Sequence, residues 1–342
     1  MVSVIVPVFN RAHYIGECLD SIFAQTDSDY EVVLVDDGST DNLRDALKPY
    51  DGRIKYFYKE NGGAASARNI GIKKCRGDLV AWLDSDDKWF PYKLEIETAV
   101  LKKIHDVGFV YSDFSCFTDT EGVIARSYIR EYLFILKTVK PDFLSLFKHA
   151  ATLRALGIAS GAIPDQTKVY WGSLADVAFI GPMFLPTTVV VRKECLDKVG
   201  FLDERFKTGE DYDLHVRLAR NFRVAYLDFP TALYRRFHAD QLTNPKMEVK
   251  TNKVWLEVVT KYAVEDREFY RKNKCFVEYR LAYCYNGLAT AYFRKKQFGN
   301  AVMNFLKSIK RNPAQKRIYM LLVIAFFRIL FAKITGKAYE KN

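Results

Sequence analysis

The sequence Val80-Ala81-Trp82-Leu83-Asp84-Ser85-Asp86-Asp87 is an apolar run that ends abruptly in three carboxylates within four positions. Acidic side chains crowded at one strand end repel each other by roughly 1 kcal/mol or more for each close pair, unless a cation neutralises them. Hard oxygen ligands favour Mg²⁺ or Mn²⁺, and Mg²⁺ usually binds together with substrate phosphates. The run therefore predicts a divalent metal site for a phosphorylated substrate, whereas a single Asp here would indicate only a helix N-cap.

The first 116 residues alternate short β-branched runs with amphipathic stretches, which predicts an α/β fold with a mostly parallel, Rossmann-like sheet and crossover helices. The predicted strands are residues 2–8, 31–36, 54–58, 79–84 and 108–116, and the predicted helices are residues 12–25, 64–75 and 91–105. Ligands of such sheets bind beyond the carboxyl ends of the strands. Polar residues at 10–11, 36–41 and 84–87 follow three of these strands, so we expect them to converge on one pocket.

The remaining sequence indicates three further regions. Residues 117–182 have weak periodicity and are interpreted as a lid or acceptor-binding insertion of a first domain that covers residues 1–244. Regular patterning returns with predicted strands at 187–192, 223–227 and 231–235 and a helix that begins at 209 and runs to 220. Residues 245–317 are predicted to be helical, and residues 318–342 form a basic amphipathic tail.

Part of the helical region resembles a tetratricopeptide repeat. With Ala282 as position one, the pattern positions of residues 282–315 are filled by Tyr285, Leu288, Ala289, Tyr292, Ala301, Phe305, Ser308 and Pro313. A single repeat cannot bury its own apolar face, because such repeats are stabilised by stacking on their neighbours. The segment is therefore expected to pack on the rest of the chain, on a second copy or on a partner.

The net charge of +11 lies entirely in the last hundred residues. Residues 1–240 contain 31 Lys and Arg against 34 Asp and Glu, whereas residues 241–342 contain 21 against 7. The apolar stretch 318–333 is interrupted by Arg328 and falls short of the ~20 residues that span a bilayer. Basic and apolar residues together favour an interfacial helix on an anionic membrane over nucleic-acid binding. A buried terminal helix is the alternative.

The six cysteines show no paired spacing, so neither a zinc site nor a disulfide framework is predicted. The chain starts directly in a strand-like run and is expected to lack a signal peptide. A hydrophobic fraction of 49% supports a globular core. These features predict a reducing, cytoplasmic compartment, with peripheral contact at the inner membrane face through the tail.

Four ordered motifs together resemble the family 2 glycosyltransferases, which have the GT-A fold. They are residues 3–10 (SVIVPVFN), 35–41 (VDDGSTD), 61–69 (NGGAASARN) and 83–87 (LDSDD). A fifth, Gly209-Glu210-Asp211, falls where that family carries its Glu-Asp motif. The resemblance covers roughly residues 1–240 and says little about residues 117–182 or the tail.

The resemblance implies a nucleotide-sugar site. Asp36 matches the residue that holds the donor base, usually uracil, and Pro7 and Phe9 would line the same pocket. Asp84 matches the first Asp of the DxD motif, near the ribose. Arg68 would meet the nucleotide or its phosphates, the alternative being a salt bridge on the helix surface.

The same resemblance implies a metal-dependent, inverting transfer of a hexose-type sugar. Asp86 matches the last Asp of the DxD motif, which ligates Mn²⁺ or Mg²⁺ on the diphosphate, and Asp87 and His238 are further candidate metal ligands. Asp211 is the expected catalytic base, which must come within about 2.6–3.2 Å of the acceptor hydroxyl.

Two further residues are candidates for the acceptor side. Glu210 accompanies Asp211 in the Glu-Asp motif, although acidic residues are also favoured in a helix's first turn by its dipole. Trp89 would either stack on a sugar or anchor the helix that follows it.

The expected function is therefore transfer from a nucleotide-sugar, UDP-linked, to a carbohydrate or lipid-linked acceptor during cell-surface polysaccharide synthesis. A haloacid-dehalogenase-type phosphatase is the alternative enzyme, but its Asp-x-Asp follows the first core strand rather than the fourth. The sequence lacks GxGxxG after its first strand, which disfavours a nicotinamide-binding domain. A catalytically degenerate scaffold or interaction protein is the non-enzymatic alternative.

Overall fold

The computed structural model of the protein describes residues 1–132, 143–237 and 247–335. The chain divides into two compact units, Met1–Asp240 and Gln241–Asn342. The predicted boundary between residues 244 and 245 lies outside the described residues, as do parts of the predicted insertion and tail.

The first unit is built on one mixed sheet of eleven described strands. The strands are β1 Val2–Val8, β2 Tyr30–Asp36, β3 Lys55–Tyr58, β4 Leu79–Trp82, β5 Lys88–Trp89, β6 Val107–Thr118, β7 Gly122–Ala125, β8 His149–Thr152, β9 Lys168–Gly172, β10 Val189–Arg192 and β11 Arg223–Arg235. Nine lie in the order β3-β2-β1-β4-β10-β6-β11-β9-β8, while β5 pairs with β11 and β7 with β6. Within this described order only β10 and β9 run against the other seven. The predicted mostly parallel α/β sheet is confirmed.

Seven described α-helices belong to this unit. They are α1 Ala12–Phe23, α2 Leu43–Leu47, α3 Ala64–Lys74, α4 Lys93–Lys103, α5 Ile129–Tyr132, α6 Lys193–Val199 and α7 Glu210–Asn221. α1 illustrates why they form: Ile15, Cys18, Leu19 and Ile22 recur at helical spacing and are all buried. The buried strands β1 and β2 are rich in Val and Ile, as expected for parallel strands covered on both faces.

Two parts of the sheet differ from the sequence prediction. The separate strands predicted at 223–227 and 231–235 are one strand, β11, whose register against β6 shifts around Pro230. Pro230 has no N–H for a ladder hydrogen bond, so the pattern breaks there while the strand continues. Within 117–182, β9 pairs antiparallel with β11 and β8 with β9, so this weakly periodic stretch extends the sheet. Short peripheral strands carry little alternating pattern.

The described part of the second unit is helical, as predicted. Its helices are α8 Glu248–Val259, a π-helical turn Thr260–Val264, α9 Arg267–Arg294, α10 Phe298–Arg311 and α11 Lys316–Thr335. Ala289, Ala301, Phe305 and Ile318 form its buried apolar cluster. The pair α9 and α10 contains the predicted repeat positions except Pro313, which follows α10, and several of these positions are buried.

Most of the surface of α11 is apolar. Ile318 and Ala325 are buried, whereas Met320, Phe327 and Ile334 are 58%, 63% and 74% exposed. Among the described residues, no helix combines the length and apolar character that crossing a bilayer requires. α11 therefore packs on its unit through one narrow face and leaves a wide apolar face uncovered.

Candidate functional site

The ends of β1 and β2 are joined by a polar loop at the carboxyl edge of the sheet. Asn10 adopts a left-handed conformation with φ 51°. Its side-chain Oδ1 accepts the backbone N–H of Thr40 at 2.8 Å, and its own N–H donates to Ser39 Oγ at 3.0 Å. The predicted convergence of these two strand ends is thus built from direct hydrogen bonds.

The candidate base pocket lies beside this loop. β1 and β2 pair in parallel with Val8 opposite Asp36, which brings Pro7, Phe9 and Asp36 to neighbouring strand positions. The Asp36 carboxylate is buried, where it accepts the N–H of Ser39 at 2.8 Å and the hydroxyl of Tyr56. Phe9 exposes nearly half of its surface. An apolar ring beside a fixed carboxylate provides a surface for stacking and an acceptor for an N–H group.

Asp37 is a structural residue of the site that the sequence analysis missed. Its buried carboxylate accepts the N–H groups of Gly62 and Gly63 at 2.9 and 2.7 Å and pairs with Lys59. It thereby fixes the start of α3 to the end of β2. The signal available in the sequence was the second Asp of VDDGSTD followed, one strand later, by a Gly-Gly pair with free backbone donors.

Arg68 on α3 links two acidic motifs. The residue is 5% exposed, and its Nη2 donates to Asp84 Oδ1 at 2.6 Å while its Nη1 donates to Glu210 Oε1 at 2.7 Å. Arg68 therefore lies inside the site, not on the helix surface. Both terminal nitrogens donate to carboxylates, one of Asp84 and one of Glu210. Glu210, which is predicted on the acceptor side, is likewise buried and pairs with Arg68.

Asp86 and Asp87 occupy different environments although they are adjacent. Asp87 is 2% exposed, and its Oδ1 accepts the backbone N–H of Arg235 at 2.9 Å. Burial, followed by the charges of Asp86 and Asp84, raises the pKa of Asp87 well above its usual range. Asp87 therefore supports the loop from inside the protein, which corrects its prediction as a metal ligand open to the pocket.

Asp86 is the carboxylate of the pair that remains accessible. Its side chain is partly exposed and lies 3.7 Å from Arg11 Nε, while its backbone carbonyl accepts Arg235 Nε at 2.8 Å. Within the described ranges, no three His, Cys, Asp or Glu side chains converge as a metal-binding group. His238 lies outside the described residues. A partly exposed carboxylate whose ion pair with Arg11 is long suits a cation that arrives with phosphates rather than one held in a closed cage.

Arg235 is a second residue that the sequence analysis missed. Its guanidinium is fully buried, 4.3 Å from the ring centre of Tyr14 and 4.5 Å from that of Phe117, and pairs with Glu17 at 3.2 Å. Through its backbone and side chain it fastens the Asp86-Asp87 loop to β11. Two adjacent arginines in the sequence gave no indication which one was buried.

Asp211 lies in the first turn of α7, which follows Gly209 in a left-handed conformation with φ 73°. Its Oδ1 accepts the N–H of Tyr212 at 2.9 Å. Burial raises the pKa of Asp211 to about 7, reinforced by the neighbouring charge of Glu210 and opposed by Arg68. A carboxylate with a pKa near neutrality can take up a proton at the pH where it works.

Trp89 belongs to the core. It is 3% exposed, and its indole Nε1–H donates to the backbone carbonyl of Thr187 at 2.8 Å. Of the two predicted roles, the structure favours the anchor and corrects the placement of Trp89 on the acceptor side. Trp89 lies on the two-residue strand β5, which pairs antiparallel with β11, and so short a strand has no sequence pattern that would predict it.

Comparisons with known proteins agree with this geometry. Residues 3–153 match the profile of Glycosyl transferase family 2. An uncharacterized glycosyltransferase of Rickettsia typhi is 30% identical over 247 residues, which are 71% of this chain and 66% of the relative. A second, from Rickettsia prowazekii, is 30% identical over 249 residues with the same coverage. The chain thus spans slightly less than two thirds of these relatives.

Solved structures share the fold. The crystal structure of S. aureus TarS 1–349 in complex with UDP-GlcNAc is 19% identical with a TM-score of 0.59, covering 100% of this chain and 93% of that one. The mannosyltransferase PcManGT from Pyrobaculum calidifontis, in complex with GDP-Man and Mn²⁺, is 18% identical with a TM-score of 0.52, covering 98% and 88%. The predicted GT-A fold is confirmed. The sequence matches therefore assign residues 3–153 of this chain to glycosyl transferase family 2.

Proposed function

We propose that the protein is an inverting, metal-dependent hexosyltransferase that uses a UDP-sugar and a carbohydrate or lipid-linked acceptor in cell-surface polysaccharide synthesis. The observation that carries the proposal is the placement of Asp84 and the Glu210-Asp211 pair around one buried arginine. The proposed donor-side carboxylate and the proposed base, whose pKa is raised to about 7, both lie near this guanidinium, which supports the proposal. The UDP-GlcNAc complex of a protein with the same fold supports the choice of donor.

Asp211 is the proposed catalytic base. Its carboxylate removes the proton of the acceptor hydroxyl while that oxygen forms a bond to the anomeric carbon. On the opposite face of the sugar, the bond from the anomeric carbon to the phosphate oxygen breaks, and the nucleoside diphosphate leaves with the electron pair. Attack from the face opposite the leaving group inverts the anomeric configuration.

The donor is held by the residues at the ends of β1, β2 and β4. Phe9 and Pro7 would line the face of the base, Asp36 would accept its N–H, and Asp84 would lie beside the ribose. Asp86 would hold Mn²⁺ or Mg²⁺, with His238 as a second proposed ligand. When bound, the cation would neutralise negative charge on the leaving diphosphate.

Residues 117–182 are the proposed acceptor-binding insertion. Support comes from Tyr132 on α5, whose pKa is raised well above its usual range by burial and then by the charge of Asp211. The insertion therefore reaches the neighbourhood of the base. An aromatic side chain near the proposed base would suit the binding of a sugar ring, which presents apolar C–H groups.

The second unit is proposed to bring the enzyme to the inner membrane face. α11 carries Lys316, Arg317, Arg328 and Lys333 and no acidic residue, and its wide apolar face is exposed. A helix with this combination lies in the interface of an anionic bilayer. The alternative occupant of the same face is a second copy of the chain.

The test is a panel of UDP-, GDP- and dTDP-sugars, assayed for binding by calorimetry and for slow hydrolysis with and without Mn²⁺. One donor should bind and be hydrolysed only with metal, and Asp211→Asn should keep binding while losing turnover. Asp41→Asn is the matched control, since Asp41 is an exposed acid at the same edge of the sheet whose only proposed task is to accept the N–H of Ala12. If the folded protein binds none of these donors, the proposal fails and the scaffold alternative is favoured.

A further inference from the structure

We propose that Arg68 is a positioning residue that holds the first turn of α7, and with it Asp211, at a fixed place relative to Asp84 on the donor side. This inference rests on the proposed transferase function. It assigns Arg68 no contact with substrate. Its task is to join, through one guanidinium, two acidic segments that lie 126 positions apart in the sequence.

The helix that carries Arg68, α3, packs tightly on its neighbours. A Cβ at Gly71, one turn further along α3, would collide with the side chain of Ile5 on β1, so the helix lies directly on the strand. The next residue, Asn69, donates to the carbonyl of Leu202 at 2.9 Å and accepts the N–H of Leu202 at 3.0 Å. α3 therefore holds both the chain that leads into α7 and, through Arg68, the first residue of that helix.

Because Arg68 is buried, it depends on both of its carboxylate partners. Arg68 has little contact with water, and its Nε has no hydrogen-bond partner in the described part of the chain. A buried guanidinium depends on its anionic partners, because removal of one partner leaves an uncompensated charge in the interior. Asp84 and Glu210 are those partners, at 2.6 and 2.7 Å. A displacement of either carboxylate therefore shifts the Arg68 guanidinium and, with it, the other carboxylate.

The same contacts set the electrostatic environment of Asp211. The charged and titratable groups that act on Asp211 are Glu210 from its own helix, Arg68 from α3 and Asp84 from the end of β4, and Asp211 in turn acts on Tyr132 of α5. Glu210 and Asp84 raise the pKa of Asp211, and Arg68 lowers it. Loss of Arg68 should move the acidic limb of the pH–rate profile to higher pH, and loss of the Glu210 charge should move it to lower pH.

The experiment compares Arg68→Met, Glu210→Gln and the double variant by donor hydrolysis across pH, with UDP binding measured separately. Arg68→Met should lower kcat by on the order of 100-fold, the effect of a small misplacement of a catalytic group. The double variant should have an acidic limb between those of the single variants, since the two charge effects oppose each other. Glu210→Gln keeps nearly the same side-chain shape and should fold. Its pH–rate profile therefore tests the inference even if Arg68→Met fails to fold.

Arg217→Lys is the matched control. Arg217 lies on α7 about two turns after Glu210, where it pairs with Asp213 at 2.8 Å and ties the helix to the carbonyls of Val199, Gly200 and Phe201. Arg217→Lys should lower the Tm and leave the acidic limb of the pH–rate profile at the wild-type pH. The inference is overturned if Arg68→Met and Glu210→Gln change only Tm, as the control does, while their pH profiles match the wild type. If the wild type itself hydrolyses no donor, the failure belongs to the proposed function instead.

Discussion

The carboxylate of Asp37 accepts the backbone N–H of Gly63 at 2.7 Å. Gly63 adopts φ 94° and directly precedes α3, whose first turn has free N–H groups like that of every helix. One buried side chain at the end of β2 thus defines where α3 begins, and α3 in turn carries Arg68 into the site. Asp37, which has no proposed chemical task, therefore fixes the helix that positions Arg68.

Replacement of Asp37 by Ala should destabilise the first unit by about 1–3 kcal/mol, because two N–H groups and the Lys59 ammonium lose their acceptor. Thermal unfolding measures the effect. Asp45→Ala is the control, since the Asp45 carboxylate on α2 forms an exposed ion pair with Lys48, the residue that follows the helix. Equal Tm values for the two variants would contradict the capping role.

Asp211→Asn should raise stability at alkaline pH. Since burial raises the pKa of Asp211 to about 7 from an ordinary value near 4, ionisation of the folded protein is unfavourable and its cost grows between about pH 4 and pH 7. The free energy of unfolding of Asp211→Asn should therefore exceed that of the wild type by on the order of 1–2 kcal/mol at pH 8. The difference should vanish below pH 4. Denaturant unfolding at both pH values measures it.

Asp213→Asn on the same turn is the opposite case. Asp213 is buried against Arg217, so the loss of its charge should lower stability at pH 8. A lower stability for both variants would show that Asp211 is stabilised, not strained, by its surroundings. Turnover of the wild type should rise with pH through about 7, where the base becomes ionised.

Asp86→Asn should fold normally and lose metal-dependent UDP binding. Its side chain is partly exposed and its ion pair with Arg11 is long, at 3.7 Å, so stability should change by no more than about 1 kcal/mol. Loss of a direct ligand should weaken Mn²⁺-dependent binding at least ~10-fold, the lower end of what second-sphere changes cost. Calorimetry with and without Mn²⁺ checks this, and unchanged metal dependence would rule out Asp86 as a ligand.

Trp89→Phe should cost stability without a specific loss of catalysis. The change removes the hydrogen bond to the Thr187 carbonyl and part of a buried ring, which together should lower the free energy of unfolding by about 1–3 kcal/mol. Donor hydrolysis per folded molecule should stay near the wild-type value. A large loss of acceptor transfer at unchanged stability would instead restore the sugar-stacking role.

Phe327→Glu on α11 should reduce sedimentation with anionic vesicles at least ~10-fold, since burial of a Phe contributes about 1.5–3 kcal/mol. Val123→Glu on β7 is the control, because it introduces the same charged side chain at an exposed apolar position of the other unit. Light scattering tests the alternative, in which a second copy of the chain packs on the apolar face of α11. A dimer that Phe327→Glu dissociates, with no vesicle binding by the wild type, would identify a second copy as the occupant.

The sequence determined much of the first unit. The alternation of β-branched runs and amphipathic stretches is a local property, so β1 to β4, α1 and α3 were predicted within a few residues. The position of polar residues after parallel strands also predicted the common edge at which Asn10, Asp36 and Asp84 lie. Such residues must meet there because parallel strands share one carboxyl edge.

Only the tertiary structure decided which of these charged residues are buried and what they face. Arg68 reaches Asp84 and Glu210 because α3 and α7 flank the end of β4, a juxtaposition between segments distant in sequence. Asp86 and Asp87 are adjacent and chemically identical, yet one is accessible and the other is enclosed beneath Arg235. Burial and pKa depend on the neighbours brought in by folding, and a local pattern of residue types does not contain that information.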